Sequence, residues 1–255
     1  MPRGLPNSSA SPQRLSPQST RTMSRDFLNL DEVAAWLGKD RRTVEKMVQR
    51  GVLPGRRIGG EWRFHPAEVT HWVEQDLRTL DAAELATLEN SQKSTELDQQ
   101  SPLKTLLHSE TCEIQLDAST KPAALQALVE VAGRTWQIWD PAAVLNAVRE
   151  REQVMSTGFE NGVAIPHPRN PLPEVLGQSL IAFGRTSSGI PFGAPKRTLS
   201  DLFFLVLARD ARTHLQILAR LGRLLQSAEI LDGLRSAPSG SDICQLLLDA
   251  DARIN

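Results

Sequence analysis

Residues 149–169 read REREQVMSTGFENGVAIPHPR, and they carry the clearest structural signals in the C-terminal half of the chain. A charged segment typical of a helix end is followed by Ser-Thr-Gly and by the apolar run GVAI, which predicts a short strand. His167 then stands between Pro166 and Pro168. Because proline holds its φ at about −65°, we expect the histidine on a stiff loop at the end of the strand. The residues leave two interpretations open: a turn that happens to carry a histidine, or an imidazole aimed at a reaction partner.

Helical and strand patterns alternate on both sides of this stretch. Amphipathic helices are predicted in KPAALQALVEVAG (121–133), DPAAVLNAVREREQ (140–153) and THLQILARLGRLLQ (213–226), with a short last helix near 242–248. Strands are predicted in CEIQLDA (112–118), SLIAFGR (179–185) and DLFFLVLA (201–208). This alternation favours an α/β layered domain over a helix bundle.

Three polar residues of this domain are candidates for a catalytic site. They are His167, Arg151 at the end of the preceding helix, and His214 at the start of the long helix. A neutral imidazole has a nitrogen lone pair that attacks phosphorus near neutral pH. Phosphoryl transfer also needs cationic donors around the migrating oxygens, and a guanidinium and a second imidazole supply them.

The segment from residue 25 to residue 80 has a different pattern. Helices are predicted from Asn29, with Glu32 at capping-box spacing, and from the N-cap Asp40. The strands RRI and EWRF then flank Gly59-Gly60, a favourable two-residue hairpin turn. A third helix is predicted from Pro66. This order is the layout of a small winged helix-turn-helix domain.

Charge is concentrated in this first segment. The whole chain has a net charge of −1, yet residues 39–63 contain eight basic and three acidic residues, a local net charge of +5. Such a block indicates a localised contact with a polyanion, although charges on a solvated surface are the ordinary alternative for any single arginine. On the second helix the basic residues stand away from the apolar stripe: Arg41, Arg42, Lys46 and Arg50.

The stretch LDEVAAWLGKDRRTVEKMVQRGVLPGRRIGGEWRFHPAEVTHWV resembles the excisionase-type and MerR-like DNA-binding domains. The resemblance implies that the second helix enters the major groove of double-stranded DNA. It implies that the residues nearest the bases are Arg41, Arg42, Thr43 and Lys46. The hairpin would contact backbone phosphates through Arg56, Arg57 and Arg63, which gives salt-sensitive affinity more than sequence choice.

The C-terminal half, including REREQVMSTGFENGVAIPHPR, GRTSSGIPF, DLFFLVLARD and THLQILARLGRLL, resembles the enzyme IIA domains of the fructose/mannitol and nitrogen-regulatory branch of the bacterial phosphotransferase system. The resemblance implies a mixed sheet covered by helices. It also implies that His167 accepts a phosphoryl group from an HPr-type carrier protein, with Arg151 and His214 in the active site.

Two positions depart from the family pattern. Pro168 replaces a glycine or other small residue, and it has no N–H to donate to a phosphoryl oxygen. The segment APKRTLSD (194–201) adds Lys196 and Arg197 near the expected domain surface.

These observations define four segments: a disordered N-terminal segment at 1–24, a winged helix-turn-helix domain at 25–80, a linker at 81–102 whose first half can extend a helix, and an enzyme IIA-like domain at 103–250.

No transmembrane run or secretory signal is found, which predicts a cytoplasmic protein. Cys112 and Cys244 lack metal-binding spacing and are expected to be reduced thiols. Neither a metal nor a cofactor is predicted.

The leading hypothesis is a DNA-binding regulator that couples phosphorylation of His167 to transcription. One alternative is a phosphocarrier that passes its phosphoryl group to a separate IIB protein, with the N-terminal module serving protein interaction. Another is an inactive IIA scaffold that binds regulatory proteins while the first domain reads DNA. Whether the chain is an enzyme, and whether it forms a homodimer, stays open.

Overall fold

The computed structural model describes residues 27–254. The segment 1–24, for which disorder is predicted, lies outside the described residues. Within them, no helix is both long and apolar enough to cross a membrane.

The first domain contains three helices and one hairpin: α1 (Leu30–Leu37), α2 (Arg41–Gln49), β1 (Arg56–Ile58), β2 (Glu61–Arg63) and α3 (Pro66–Asp76). Asn29 and Glu32 form the predicted capping box, and the carboxylate of Asp40 accepts from the N–H of Thr43. The strands β1 and β2 pair antiparallel across Gly59 and Gly60, which both have positive φ. The helix-turn-helix order and the hairpin therefore follow the sequence pattern.

The segment that follows α3 contains α4 (Ala82–Ser91). Asp81 and Glu84 form a capping box at its start. At its end, the Ser91 hydroxyl and the Gln92 amide both donate to the carbonyl oxygen of Trp36 in α1. The connection is thus helical in its first half and packs against both the first and the second domain.

The second domain has a four-stranded sheet with helices on both faces. Its elements are β3 (Cys112–Glu113), α5 (Lys121–Gly133), α6 (Pro141–Val154), β4 (Val163–Ala164), β5 (Leu180–Ile190), β6 (Ser200–Leu207), α7 (Ala211–Leu224), α8 (Ala228–Ser236) and α9 (Gly240–Arg253). The strand order is β3-β5-β6-β4, with β3 parallel to β5, β4 parallel to β6, and β5 antiparallel to β6. This confirms the mixed sheet covered by helices.

Both faces of the central strand β6 are buried. Phe204 and Val206 pack in one apolar cluster, with α7, α8 and α9, while Phe203 and Leu205 pack in the other, with α5 and α6. The sequence of a strand that is buried on both faces is a nearly continuous apolar run, and DLFFLVLA has this pattern. Cys112 and Cys244 are buried free thiols.

Several elements differ from the sequence-based expectation, among them β5, which continues to Ile190 beyond the predicted 179–185. Strand β3 is shorter than 112–118 because its regular pairing with β5 ends at Glu113, after which the N–H of Leu116 donates to Arg185. The last helix is longer than 242–248 and begins after the N-cap Ser239. Helix α8, capped by Ser227, was not predicted.

Candidate functional site

His167 lies on the loop that follows β4, and its ring is buried. Its Nδ1 lies 2.7 Å from the carbonyl oxygen of Ile165. A carbonyl oxygen only accepts, so Nδ1 carries the hydrogen, and in the neutral ring Nε2 has the lone pair. The carbonyl of Pro166 accepts from the N–H of Val206 at 3.0 Å, which fixes the loop to β6. The loop therefore leaves Nε2 as the ring nitrogen with the free lone pair.

The structure brings Arg151 and His214 next to this nitrogen. Arg151 lies in the last turn of α6, where its Nη1 donates to the carbonyl of Met155 at 2.9 Å. His214 lies in the first turn of α7, a helix capped by Asp210. The ring centroids of His167 and His214 are 4.9 Å apart. The three residues predicted for the catalytic site are thus neighbours, although they come from three separate elements.

A fourth residue, Glu74, lies at the centre of this group and was missed by the sequence analysis. It belongs to α3 of the helix-turn-helix domain, and its side chain is only 1% exposed. Its Oε2 accepts from Nε of Arg151 at 3.2 Å, and its Oε1 accepts from Nε2 of His214 at 2.9 Å. Nε2 of His167 lies 3.3 Å from Oε2, which is an ion-pair distance without hydrogen-bond geometry. The carboxylate is therefore surrounded by the predicted catalytic residues.

The site has strong effects on the ionisation of two of these groups. Burial acts to raise the pKa of the Glu74 carboxyl, but electrostatic attraction by the nearby imidazole of His167, together with the hydrogen bond from His214, outweighs it and holds this pKa far below its ordinary value. Burial lowers the pKa of His214, against the opposing effect of its hydrogen bond to Glu74. Glu74 is thus a carboxylate at neutral pH, and His214 donates its Nε2–H to it as a neutral imidazole.

The geometry of Glu74, His167 and His214 is also compatible with a metal site, because their ligand atoms lie within 4.8 Å of one another. A carboxylate and two imidazoles are ligand types that zinc accepts. However, the Arg151 guanidinium already neutralises the carboxylate at 3.2 Å and would repel a second cation in the same space. The group is better suited to holding an oxyanion than a metal ion.

Little free space is left at the site. A cavity of about 20 Å³ borders His167, Arg151 and Glu74, and one water needs roughly 10–15 Å³ of such space. A larger cavity of about 560 Å³ lies beside it, between residues 75–79 of the first domain and the loop 159–161 of the second. In this arrangement the first domain covers the candidate acceptor.

The Ser-Thr-Gly element supports the loop beneath the site. The buried Glu152 accepts from both the N–H and the hydroxyl of Thr157, the latter at 2.7 Å, and from Nζ of Lys121 at 2.9 Å. The carbonyl of Thr157 in turn accepts from the N–H of Ile165 at 3.2 Å. Of the two departures from the family pattern, Pro168 is buried directly after His167, and Lys196 lies at the surface in an ion pair with Glu160 at 2.6 Å.

The residues predicted to contact DNA lie on a different surface. On α2, Arg41, Arg42, Thr43 and Lys46 are exposed, as is Arg50, which follows it. Some of their charge is already paired: Arg41 contacts Asp31 at 2.5 Å, Arg56 contacts Glu68 at 3.6 Å, and Arg63 contacts Glu61 at 2.7 Å. Arg57 lies over the ring of Trp62. Helix α2 and the hairpin therefore stay accessible while α3 covers the acceptor site.

The fold and the site define an α/β domain with a buried oxyanion site made by two histidines and one arginine, joined to a helix-turn-helix domain. Residues 105–250 match the family described as "Phosphoenolpyruvate-dependent sugar phosphotransferase system, EIIA 2", and the chain belongs to this family. Residues 27–76 match the family described as "Helix-turn-helix domain". Both resemblances found in the sequence are confirmed.

Relatives of known name align with part of this chain. The PTS system fructose-specific EIIA component of Haloferax volcanii is 29% identical over 149 residues, which are 58% of this chain and 95% of that protein. The nitrogen regulatory protein of Escherichia coli K12 is 30% identical over 151 residues, which are 58% of this chain and 91% of that protein. The crystal structure of nitrogen regulatory protein IIA-Ntr from Neisseria meningitidis has 25% identity and a TM-score of 0.49, and covers 54% of this chain and 93% of that one.

Proposed function

We propose that the chain is a DNA-binding regulatory protein whose second domain accepts a phosphoryl group on Nε2 of His167. The observation that carries this proposal is the convergence of His167, His214 and Arg151 around one oxyanion, the carboxylate of Glu74. Donors placed to hold a carboxylate are also placed to hold the oxygens of a phosphoryl group. An HPr-type phosphocarrier protein is the proposed donor.

The chemical step follows from the tautomer of His167. With its Nδ1–H donated to Ile165, the ring attacks phosphorus through the lone pair of Nε2. A nitrogen–phosphorus bond forms as the bond between phosphorus and the donor atom breaks, and the electron pair of that bond stays on the donor. Arg151 and His214 stabilise the negative charge on the transferring oxygens.

The first domain supports the DNA-binding part of the proposal. Its α2 carries exposed basic residues, and we propose that this helix enters the major groove while the hairpin β1–β2 acts as a wing on the phosphates. A phosphoryl group on His167 adds roughly −1.5 to −2 charges. It alters DNA binding if the phosphorylated and free states place the first domain differently.

The phosphoryl-acceptor part is tested with labelled phosphoenolpyruvate, enzyme I and an HPr-type carrier. We expect acid-labile label on the wild-type chain, none on His167→Ala, and at least about tenfold slower labelling of Arg151→Met, which removes one charged donor. Label that persists in His167→Ala refutes the assignment of the acceptor. A wild-type chain that binds DNA but is never labelled is an inactive scaffold, and onward transfer to a IIB protein without DNA binding supports a phosphocarrier.

The DNA part is tested by retention on random-sequence duplex DNA at several salt concentrations. The double variant Arg41→Ala/Arg42→Ala is expected to bind more weakly, while Arg134→Ala, which removes an exposed arginine from the second domain, should bind as the wild type does. Equal binding by the wild type and the double variant would argue against α2 as the reading helix.

A further inference from the structure

The burial of Glu74 has no explanation within the helix-turn-helix domain itself. A charged carboxylate is costly to bury unless it is paired. The strong partners of Glu74, Arg151 and His214, both belong to the second domain. Within α3, only His71 comes close, at 3.5 Å. The position of Glu74 is therefore set by docking between the two domains.

A carboxylate is a close stand-in for the oxygens of a phosphoryl group. Both are oxyanions that accept charge-assisted hydrogen bonds from guanidinium and imidazole N–H groups. Oε2 of Glu74 lies 3.3 Å from Nε2 of His167, the nitrogen proposed to take the phosphoryl group. The remaining cavity of about 20 Å³ has room for about one water, not for phosphorus with three oxygens. Glu74 and a phosphoryl group on His167 thus exclude each other by volume and by like charge.

Other contacts hold the first domain over the site. The Arg78 guanidinium donates to the carbonyl of Ser156, and it stacks on the ring of Phe159. Leu215 and Ala219 of α7 are fully buried in the apolar core of the helix-turn-helix domain. Docking is consequently a packed interface rather than a single ion pair, and a donor protein cannot reach His167 until α3 has moved.

Further along the interface, α4 is tied to α7 by buried charge. The carboxylate of Glu89 accepts from Arg220 at 3.1 Å and from Arg223 at 2.6 Å. Nε2 of Gln226 donates to the carbonyl of Leu80 at 3.1 Å. In the docked arrangement the connection between the domains is therefore held against α7, which limits how far the covering helix can move from the site.

We infer that the helix-turn-helix domain is an internal competitor of the phosphoryl donor, with the Glu74 carboxylate occupying the phosphoryl position. In the closed state His167 is shielded and the DNA-binding face of α2 is exposed. Phosphorylation of His167 requires the open state and then prevents Glu74 from returning. The phosphorylation state of the second domain is thereby converted into the position of the first. This inference rests on the proposed acceptor role of His167.

The test compares the initial labelling rates of four full-length chains with a phosphorylated HPr-type carrier. Glu74→Ala removes the competitor and should be labelled at least about tenfold faster than the wild type. Glu74→Gln, which keeps the shape but removes the charge that pairs with Arg151, should also be faster and serves if the alanine variant folds poorly. Glu68→Ala is the matched control, because it removes a half-exposed glutamate from the same helix, and it should match the wild type within twofold.

Amide hydrogen exchange of residues 66–76 gives an independent readout. In the wild type these amides of α3 should lose protection on phosphorylation, and in unphosphorylated Glu74→Ala they should already be less protected. Equal or slower labelling of both Glu74 variants overturns the inference and leaves the acceptor proposal standing, as does unchanged exchange on phosphorylation. Absence of label on all four chains overturns the proposed function and this inference together.

Discussion

Arg220 links α7 to both α9 and α4, and its removal should destabilise the protein strongly. Its Nε donates to Asp251 at 2.5 Å and its Nη1 donates to Glu89 at 3.1 Å, and all three side chains are at most 8% exposed. Arg220→Met keeps most of the volume but leaves two buried carboxylates with one cation fewer. Removing one partner of a buried pair costs about 3–5 kcal/mol.

Asp251 and Glu89 each keep other partners in Arg220→Met, so the expected loss of unfolding free energy lies near the lower end of this range. Asp251 still accepts from the Ser101 hydroxyl at 2.6 Å and from the N–H of Leu103 at 3.0 Å, and Glu89 still pairs with Arg223 at 2.6 Å. We therefore expect Arg220→Met to lower the free energy of unfolding by about 3 kcal/mol. This loss corresponds to a decrease in Tm of roughly 6–12 °C for a domain of this size.

The assay is thermal unfolding followed by circular dichroism, with urea unfolding as a check. Arg134→Met is the control, because its pair with Glu113 at 2.9 Å is exposed and should contribute at most about 1 kcal/mol. In a double-mutant cycle, Arg220→Met combined with Asp251→Asn should be less destabilised than the sum of the single variants. A loss for Arg220→Met no larger than that of Arg134→Met would show that the buried pairs of Arg220 do not stabilise the fold.

Three further predictions concern docking, DNA and the first domain. Docking should weaken as the pH falls through about 6.5, because burial holds the pKa of His214 below its ordinary 6.5 and an undocked, protonated His214 must lose its proton to dock; the depressed pKa of Glu74 adds to this only below its ordinary 4.5. The radius of gyration from X-ray scattering should therefore grow between pH 7.5 and pH 5, and an unchanged radius contradicts this. Arg57→Ala should reduce the slope of log affinity for duplex DNA against log salt by about 0.9, and an unchanged slope would exclude a phosphate contact. Gly38→Ala should lower the free energy of unfolding by about 1–3 kcal/mol, because Gly38 has a φ of 63° and an added Cβ would lie 2.9 Å from Thr87; wild-type stability in urea would contradict this.

Much of the fold was predictable because its signals are local. The capping box of Asn29 and Glu32, the Gly59-Gly60 turn and the apolar run of β6 each depend on a few neighbouring residues. The shortening of β3 was not predictable, since it depends on where pairing with β5 ends. Helix α8 was not predicted because it is only nine residues long, so its apolar pattern is short and follows directly after the much stronger pattern of α7.

Part of the candidate site was also predictable from the sequence, and part was not. His167, Arg151 and His214 were found from their residue types and from the motif that contains two of them. Glu74 was not predicted as a site residue. In the sequence it is one of several acidic residues of an amphipathic helix, next to the apolar Val73, and such residues usually face solvent. Only the packing of α3 against α7 shows that its carboxylate is buried among the other three. A contact between domains leaves no periodic pattern in either partner.

We propose that Nε2 of His167 takes the phosphoryl group in the space that the Glu74 carboxylate now fills. Long-range ¹H–¹⁵N correlation spectra of the chain labelled at its five histidines, recorded before and after phosphorylation by the carrier, test it most directly. We expect Nε2 of His167 alone to show the nitrogen shift and phosphorus coupling of a phosphoimidazole, while its Nδ1 keeps its proton. A phosphoryl group on Nδ1 of His167, or on any other histidine, would contradict it.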